Sequence, residues 1–157
     1  MIVIADTSPI NYLVLIDAIG ILPEMFGEVI IPQAVYKELN HEKAPEPVKR
    51  FINDAHAWLR IRDVEVPENT GLDNLGPGER EAIFLAESEK ADLLIIDERK
   101  GMRAAMQRKL MAVGTLIILE QAAAKGLVDL PNAFEKIKNT SFHVSSELLN
   151  EILDRNT

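Results

Sequence analysis

Cysteine is absent from this chain of 157 residues, and histidine is scarce. Without cysteine, disulfide bonds and thiolate metal sites are excluded. The three histidines, His41, His56 and His143, lie far apart without the spacing of paired metal ligands, and we interpret His143 as structural. Any metal ion must therefore be held mainly by carboxylate oxygens, which suit magnesium or manganese.

Long hydrophobic runs are absent as well. No apolar stretch approaches the length of about 18 residues that a membrane-spanning helix needs, so we expect no membrane segment. Residues Met1–Ala5 are apolar, but they lack a basic n-region and lead directly to an acidic residue. They predict a first strand rather than a secretory signal, and we expect the protein to be cytoplasmic.

Aromatic residues make up only 5% of the chain, and no aromatic-rich strand offers the base-stacking surface of an RRM-type domain. Lysine and arginine number 17 against 25 aspartates and glutamates, which gives a net charge of −8. An acidic chain binds nucleic acid poorly unless its charges are segregated. One basic cluster follows Asp97 and comprises Arg99, Lys100, Arg103, Arg108 and Lys109. It either grips phosphates, with Arg99, Lys100 and Arg103 nearest the acid, or forms a solvated helix face.

Short apolar runs alternate with helical patterns along the chain, which predicts a single domain spanning residues 1–157. The alternation is typical of a three-layer α/β/α sandwich with a mostly parallel sheet of about five strands. The predicted strands lie near residues 1–6, 28–31, 58–64, 93–96 and 111–113. Residues 65–78 predict a long loop, which favours a functional or mobile segment.

Four acidic residues stand at the ends of these predicted elements: Asp6, Glu38, Glu79 and Asp97. In parallel sheets, ligands collect at the carboxyl ends of the strands, near the point where strand order reverses. Carboxylates gathered there repel one another and raise one another's pKa, which a divalent ion relieves. Such ions polarise phosphodiesters and activate water, so the acids predict a metal site that acts on phosphate esters.

Asp6 and Glu38 each have an alternative explanation. Asp6 directly follows the first strand, and it either caps the next helix or acts as the central metal ligand, with Thr7 or Ser8 orienting an oxygen ligand. Ser8 suits the N-cap of that helix and Pro9 its first position. Glu38 lies near a helix C-terminus, where it opposes the macrodipole, so it is either a solvated side chain or a cation ligand.

The third and fourth acids each compete with a neighbour. Glu79 falls on the apolar face of its predicted helix, whereas Glu81 points away from that face. A first-turn glutamate that merely stabilises the helix dipole is the alternative. Asp97 ends the fourth predicted strand and Glu98 follows it, so one of the two faces the site. We favour Asp97, with Glu98 as an accessory residue, over a simple cap for the following helix.

The segments at residues 2–9, 31–39, 75–83 and 94–99 together resemble the PIN-domain nucleases, in particular a bacterial and archaeal subgroup related to toxin ribonucleases. The resemblance covers essentially the whole chain in order. It implies a three-layer α/β/α fold and magnesium- or manganese-dependent cleavage of RNA. The family's metal-binding acids would be Asp6, Glu38, Glu79 and Asp97, and its hydroxyl residue Thr7 or Ser8.

The resemblance also implies partners, because many relatives are toxins paired with a small antitoxin protein and many form homodimers. Two positions depart from the family pattern. The third acid is Glu79 rather than the commoner aspartate, which lengthens its reach by one methylene. Met102 follows Gly101 where a basic residue is expected.

Three functional hypotheses follow from these features. The leading one is a metal-dependent endoribonuclease acting on an RNA substrate. The second is a weak or inactive interaction or regulatory module of the same fold, which the acidic net charge favours. The third is a small phosphatase with Asp6 as nucleophile, although Ser8 stands where that chemistry usually places a second acid.

Overall fold

Five short parallel strands form the centre of the molecule, and the computed structural model describes all residues 1–157. The strands are β1 (Val3–Ala5), β2 (Val29–Pro32), β3 (Leu59–Arg62), β4 (Leu93–Ile95) and β5 (Ala112–Val113). They join in the order β3-β2-β1-β4-β5, and every pairing is parallel. The predicted sheet of about five strands is confirmed.

Nine helices cover the sheet. They are α1 (Thr7–Leu15), α2 (Ile21–Phe26), α3 (Gln33–Leu39), α4 (Glu46–Asn53), α5 (Pro77–Ser88), α6 (Arg99–Gln107), α7 (Thr115–Ala124), α8 (Leu130–Lys138) and α9 (Ser146–Asp154). None of them is long and apolar enough to pass through a bilayer. The predicted N-cap at Ser8 is wrong, because α1 begins at Thr7 and Asp6 is its N-cap. Pro9 is tolerated in the first turn since the amides there have no intrahelical partner.

Alternation along the strands divides the core into two clusters. In β1, Val3 and Ala5 face a cluster of 25 buried residues, whereas Ile4 faces a second cluster of 11. The larger cluster includes residues from α1 to α4 and α7 to α9, and the smaller one includes residues from α5 and α6. Because successive side chains of a strand point to opposite faces, the sheet lies between two helical layers. The predicted α/β/α sandwich is therefore confirmed.

The long loop before α5 is anchored rather than free. Leu72 is fully buried and Leu75 nearly so, and both belong to the smaller core cluster. The guanidinium of Arg108 donates hydrogen bonds to the Thr70 carbonyl and to the Glu87 carboxylate. The loop is thus fixed at several points and places the start of α5 against the sheet edge. The sequence predicted a functional or a mobile loop, and these contacts do not support mobility.

Strand order reverses between β1 and β4. From β1 the chain adds β2 and β3 on one side, and it then returns to add β4 and β5 on the other side. The strands β1 and β4 pair in register, with Ala5 opposite Ile95, and the Asp6 amide donates a 2.9 Å hydrogen bond to the Ile95 carbonyl. The residues that follow these two strands therefore meet at the reversal point, where α/β sheets usually bind ligands.

Candidate active site

An open cavity of about 470 Å³ lies at the carboxyl edge of the sheet, beside the reversal point. Its lining includes all the acids and hydroxyl residues singled out from the sequence: Asp6, Thr7, Ser8, Glu38, Glu79, Asp97 and Glu98. No lysine or arginine lines it. The structure thus brings the four predicted acids together in one cavity, while their roles stay a prediction.

Asp6 is a buried acid with an unsatisfied oxygen. It is only 4% exposed, and its Oδ1 has no hydrogen-bond partner. Although Asp6 occupies the N-cap position of α1, its side chain makes no capping hydrogen bond, so capping does not explain it. Burial, together with three neighbouring carboxylates, raises its pKa from 3.8 to about 7 against the lowering effect of the Thr7 amide. A cation beside Oδ1 would relieve both the desolvation and the repulsion.

Asp97 contrasts with Asp6 because both of its oxygens are used. The backbone amide of Thr115 donates to Oδ1 at 2.8 Å, and its hydroxyl donates to Oδ2 at 2.6 Å. Burial raises the pKa of Asp97, while hydrogen bonds from Thr115 and from the Ser8 hydroxyl lower it. A Cβ at Gly114 would lie 2.7 Å from Asp97 Oδ1, so glycine permits this close approach.

Glu38 is exposed, but it is not a freely solvated side chain. Its Oε1 accepts a 2.5 Å hydrogen bond from the Thr7 hydroxyl, and its Oε2 accepts one of 2.9 Å from the Gly78 amide. A Cβ at Gly78 would lie within 2.9 Å of all three carboxyl atoms of Glu38. The two hydroxyls after Asp6 therefore serve different acids, since Thr7 orients Glu38 and Ser8 contacts Asp97.

Glu79 points into the cavity from the first turn of α5, as predicted. Burial, together with the adjacent Glu98 and Glu38, raises its pKa to about 7 against an opposing effect from Lys100. Glu81 turns the other way and accepts a 3.0 Å hydrogen bond from the Ala34 amide in the first turn of α3. The choice of Glu79 over Glu81 for the cavity is confirmed as a statement of orientation.

Glu98 has two roles in the structure. It is the N-cap of α6, and its carboxylate accepts a 3.0 Å hydrogen bond from the Gly101 amide. It also lines the cavity and lies close enough to Glu79 for a hydrogen bond between the two carboxyl groups. The helix cap proposed as an alternative role for Asp97 therefore belongs to Glu98.

The basic cluster divides into three parts. Lys100 lies near enough to Glu79 to lower its pKa. Arg99 and Arg103 are exposed on α6 and line a separate shallow cavity of about 440 Å³ with Met102. Arg108, in contrast, is bound to Glu87 and the Thr70 carbonyl, and Lys109 is exposed after the end of α6, so the phosphate grip stays a prediction.

The donor set fits a hard divalent cation. Every acidic side chain of the cavity offers oxygen, and Asp6 presents an unpaired buried oxygen among three other carboxylates. In the described arrangement, however, no group of three acidic or histidine side chains converges as ligands of one ion. Each oxygen of Glu38 and Asp97 accepts one internal hydrogen bond and keeps a second lone pair for a cation, so an ion at Asp6 would require these carboxylates to move closer together.

Several residues of the cavity were missed or misjudged from the sequence. Thr115 is fully buried and holds Asp97, yet it lies 18 positions further along the chain. His143, interpreted above as structural, is exposed and lines the cavity. The remaining lining residues are Asn11, Tyr12, Ser141 and Phe142. Helical spacing from Ser8 would have indicated Asn11 and Tyr12, but no local pattern indicates the segment near residue 142.

Comparison with known proteins agrees with this fold. A family model described as a PIN domain matches residues 2–157, which is nearly the whole chain. No curated protein matches the chain.

Proposed function

The chain belongs to the PIN-domain family, and on this premise we propose that it is a metal-dependent endoribonuclease that hydrolyses RNA phosphodiester bonds. PIN domains are typically nucleases. The observation that carries the proposal is the buried, unpartnered Oδ1 of Asp6 among three other carboxylates at the reversal point of the sheet. Placing four acids where their charges repel costs stability, and a divalent ion offsets that cost.

The four acids and the hydroxyls that contact them each have a part in this activity. A bound magnesium or manganese ion would polarise the phosphodiester and lower the pKa of a water molecule. Asp6 would be the central ligand of that ion, with Glu38, Glu79 and Asp97 completing the set. Hydroxyls hold these acids in place, that of Thr7 on Glu38 and that of Thr115 on Asp97.

Proton handling falls to the pair formed by Glu79 and Glu98. Because the pKa of Glu79 lies at about 7, this carboxyl group exchanges its proton near neutral pH. Glu98 lies beside it and, after burial, is the largest cause of that raised pKa. An ion that binds Glu79 would therefore displace a proton from it near neutral pH.

The RNA backbone needs cations outside the acidic cavity, because the carboxylates repel phosphate. Lys100 lies nearest to the acids, and Arg99 and Arg103 follow it on the exposed surface of α6. We propose that these three residues hold the phosphates that flank the cleaved bond. A higher salt concentration should then weaken RNA binding, since the contacts release counterions.

The decisive experiment is the cleavage of a mixed pool of structured RNAs with Mg²⁺ or Mn²⁺, beside the variant Asp6→Asn. We expect metal-dependent cleavage by the wild type and none by the variant. A matched control is Asp73→Asn, which makes the same change at an exposed loop residue away from the cavity. If Asp6→Asn cleaved as well as the control, the assignment of Asp6 would be wrong.

An interaction module without catalytic activity is the second candidate, and one observation favours it. The oxygens of Glu38 and Asp97 are bound by internal donors, and no three acids converge on one point. Calorimetric titration with Mn²⁺ separates the two candidates. No binding at millimolar concentrations, in a protein whose circular dichroism shows an intact fold, would favour the module.

Our proposal includes a toxin role with a small antitoxin partner and a homodimeric assembly, which the resemblance of the four sequence segments supports. Light scattering on the purified protein measures the assembly, for which we expect twice the monomer mass of 17.5 kDa. Co-expression with the product of the neighbouring open reading frame tests for an antitoxin. We expect that product to co-purify with the chain and to suppress its RNA cleavage.

A further inference from the structure

The cavity has a second wall that contains no acidic residue. It is formed by one face of α1 and by the segment 140–144 between α8 and α9, and we call it the aromatic wall, comprising Asn11, Tyr12, Ser141, Phe142 and His143. The rings of Tyr12 and Phe142 pack edge to face, with centroids 5.0 Å apart and an interplanar angle of 88°. The hydroxyls of Tyr12 and Ser141 form a 2.9 Å hydrogen bond. Two distant parts of the chain are therefore joined at the cavity.

Local contacts fix the conformation of this wall. The hydroxyl of Thr140 donates to the Ile137 carbonyl at 2.7 Å and accepts from the Phe142 amide at 3.2 Å. Phe142 and Val144 pack against the larger core cluster. His143 lies between these two anchored residues, and its side chain is exposed on the cavity. The aromatic wall is thus preorganised, which lowers the entropic cost of binding a ligand.

The volume of the cavity exceeds what a metal ion needs. A hydrated octahedral ion fills roughly 200 Å³, at about 30 Å³ for each water molecule. The cavity measures about 470 Å³, so more than half of it remains beside such an ion. The remaining space adjoins groups that suit a nucleoside. An imidazole and a phenyl ring offer faces for stacking, and an amide and a hydroxyl offer hydrogen bonds to base edges or ribose.

We propose that the aromatic wall binds the base and ribose of the nucleotide next to the cleaved phosphate, with the His143 imidazole stacked on the base, and that it sets a base preference at the cleavage site. This inference rests on the proposed ribonuclease function. Stacking on His143 fits its exposure, whereas Tyr12 and Phe142 are half-buried and position the segment. The wall contains no lysine or arginine, so it suits a nucleoside better than a phosphate.

Binding of labelled RNA tests the wall separately from catalysis. The probes are single-stranded RNA hexamers of A, C, G or U, and fluorescence anisotropy with EDTA measures their affinity for the metal-free protein. We expect the wild type to prefer one hexamer by at least about 5-fold. We expect His143→Ala to lower the affinity for that hexamer by about 10-fold and to abolish the preference among the four, because base stacking is lost. His143→Phe should keep the affinity, since a phenyl ring also stacks.

The matched control is His41→Ala, which removes an exposed histidine that does not line the cavity, and it should bind as the wild type does. Equal affinity and unchanged preference in His143→Ala would overturn the proposal. Binding that His143→Phe weakens as much as His143→Ala does would also overturn it, because a ring at this position would then not be enough for stacking. If the wild type cleaved no RNA while His143→Ala lost the base preference in binding, base binding by the aromatic wall would be supported and the nuclease function refuted. Unchanged cleavage sites in an active His143→Ala would refute the wall alone.

Discussion

The ends of the strands β1 and β4 are neighbours in the sheet, yet the acidic side chains that follow them differ in their hydrogen bonding. Asp6 after β1 is buried with an unpartnered Oδ1, whereas Asp97 after β4 accepts hydrogen bonds at both oxygens from Thr115. Burial is the largest cause of the raised pKa at both positions. The topology therefore places both acids, but the local donors decide their states. Asp6 Oδ1 is left without a donor, whereas the orientation of Asp97 is fixed by Thr115.

The largest expected effects come from replacing the acidic residue at each of these two strand ends. Asp6→Asn should weaken Mn²⁺ binding by more than about 100-fold, since losing even an outer partner of a ligand costs 10- to 100-fold. The same variant should raise the unfolding midpoint of the metal-free protein at pH 8, because an unpaired buried charge is removed. Asp97→Ala should instead lower the free energy of unfolding by about 1–3 kcal/mol, and the midpoint with it, because Thr115 loses its acceptor.

Calorimetry with Mn²⁺ and thermal unfolding in EDTA check these two variants. A lower unfolding midpoint in Asp6→Asn would contradict the view that Asp6 is an unsatisfied charge in the metal-free state. Equal and small changes in both variants would remove the contrast between the strand ends.

Much of this comparison follows from sequence. Acids directly after apolar runs predicted Asp6 and Asp97 at one sheet edge, because the carboxyl ends of parallel strands meet there. Helical spacing oriented Glu79 inward and Glu81 outward. Glu38 was predicted from its place near the C-terminus of the helix after the second strand, where it opposes the macrodipole.

The remaining features depend on contacts between distant parts of the chain. Thr115 donates to Asp97 because β5 ends beside β4, and no periodicity within α7 reveals that pairing. His143 reaches the cavity because Phe142 packs on Tyr12, about 130 positions earlier in the sequence. The internal hydrogen bonds of the carboxylates depend on distances and side-chain rotamers, which spacing along the chain does not fix.

Removing the donor at Asp97 should sharpen the comparison by making this acid resemble Asp6. Thr115→Val keeps the shape of the buried side chain but deletes the hydroxyl that donates to Asp97 Oδ2. We expect Mn²⁺ affinity to fall by about 10-fold or more, because outer partners orient ligand carboxylates. Thr115→Ser is the control, since it retains the hydroxyl and should retain the affinity. Calorimetry that found equal affinity in both variants would show that the backbone amide of Thr115 alone orients Asp97.

The acidic edge should also make the stability of the metal-free protein depend on pH. The pKa of Asp6 rises from 3.8 to about 7 and that of Glu79 from 4.5 to about 7, so the folded state holds protons that the unfolded chain has released between these values. Stability should therefore fall as pH rises from about 5 to 7.5. Urea unfolding in EDTA measures this slope, and Asp6→Asn should flatten it. Saturating Mn²⁺ should reverse it, because the ion binds the deprotonated carboxylates. A metal-free protein whose stability rose over this range would contradict the raised pKa values.

The smallest effect is expected from a change that moves Glu38 without removing it. In Gly78→Ala, the new Cβ would lie 2.7 Å from Glu38 Oε1, so the end of this flexible side chain must shift. Stability should change by less than about 1 kcal/mol, because alanine favours the helix α5 by a similar amount. Mn²⁺ affinity should fall severalfold, since the displaced carboxylate loses its fixed place beside Asp6. Gly20→Ala is the matched control, because no atom lies within 4 Å of its Cβ. Equal Mn²⁺ affinity in the two alanine variants would mean that Glu38 needs no fixed position, and that Asp6 sets the metal site without it.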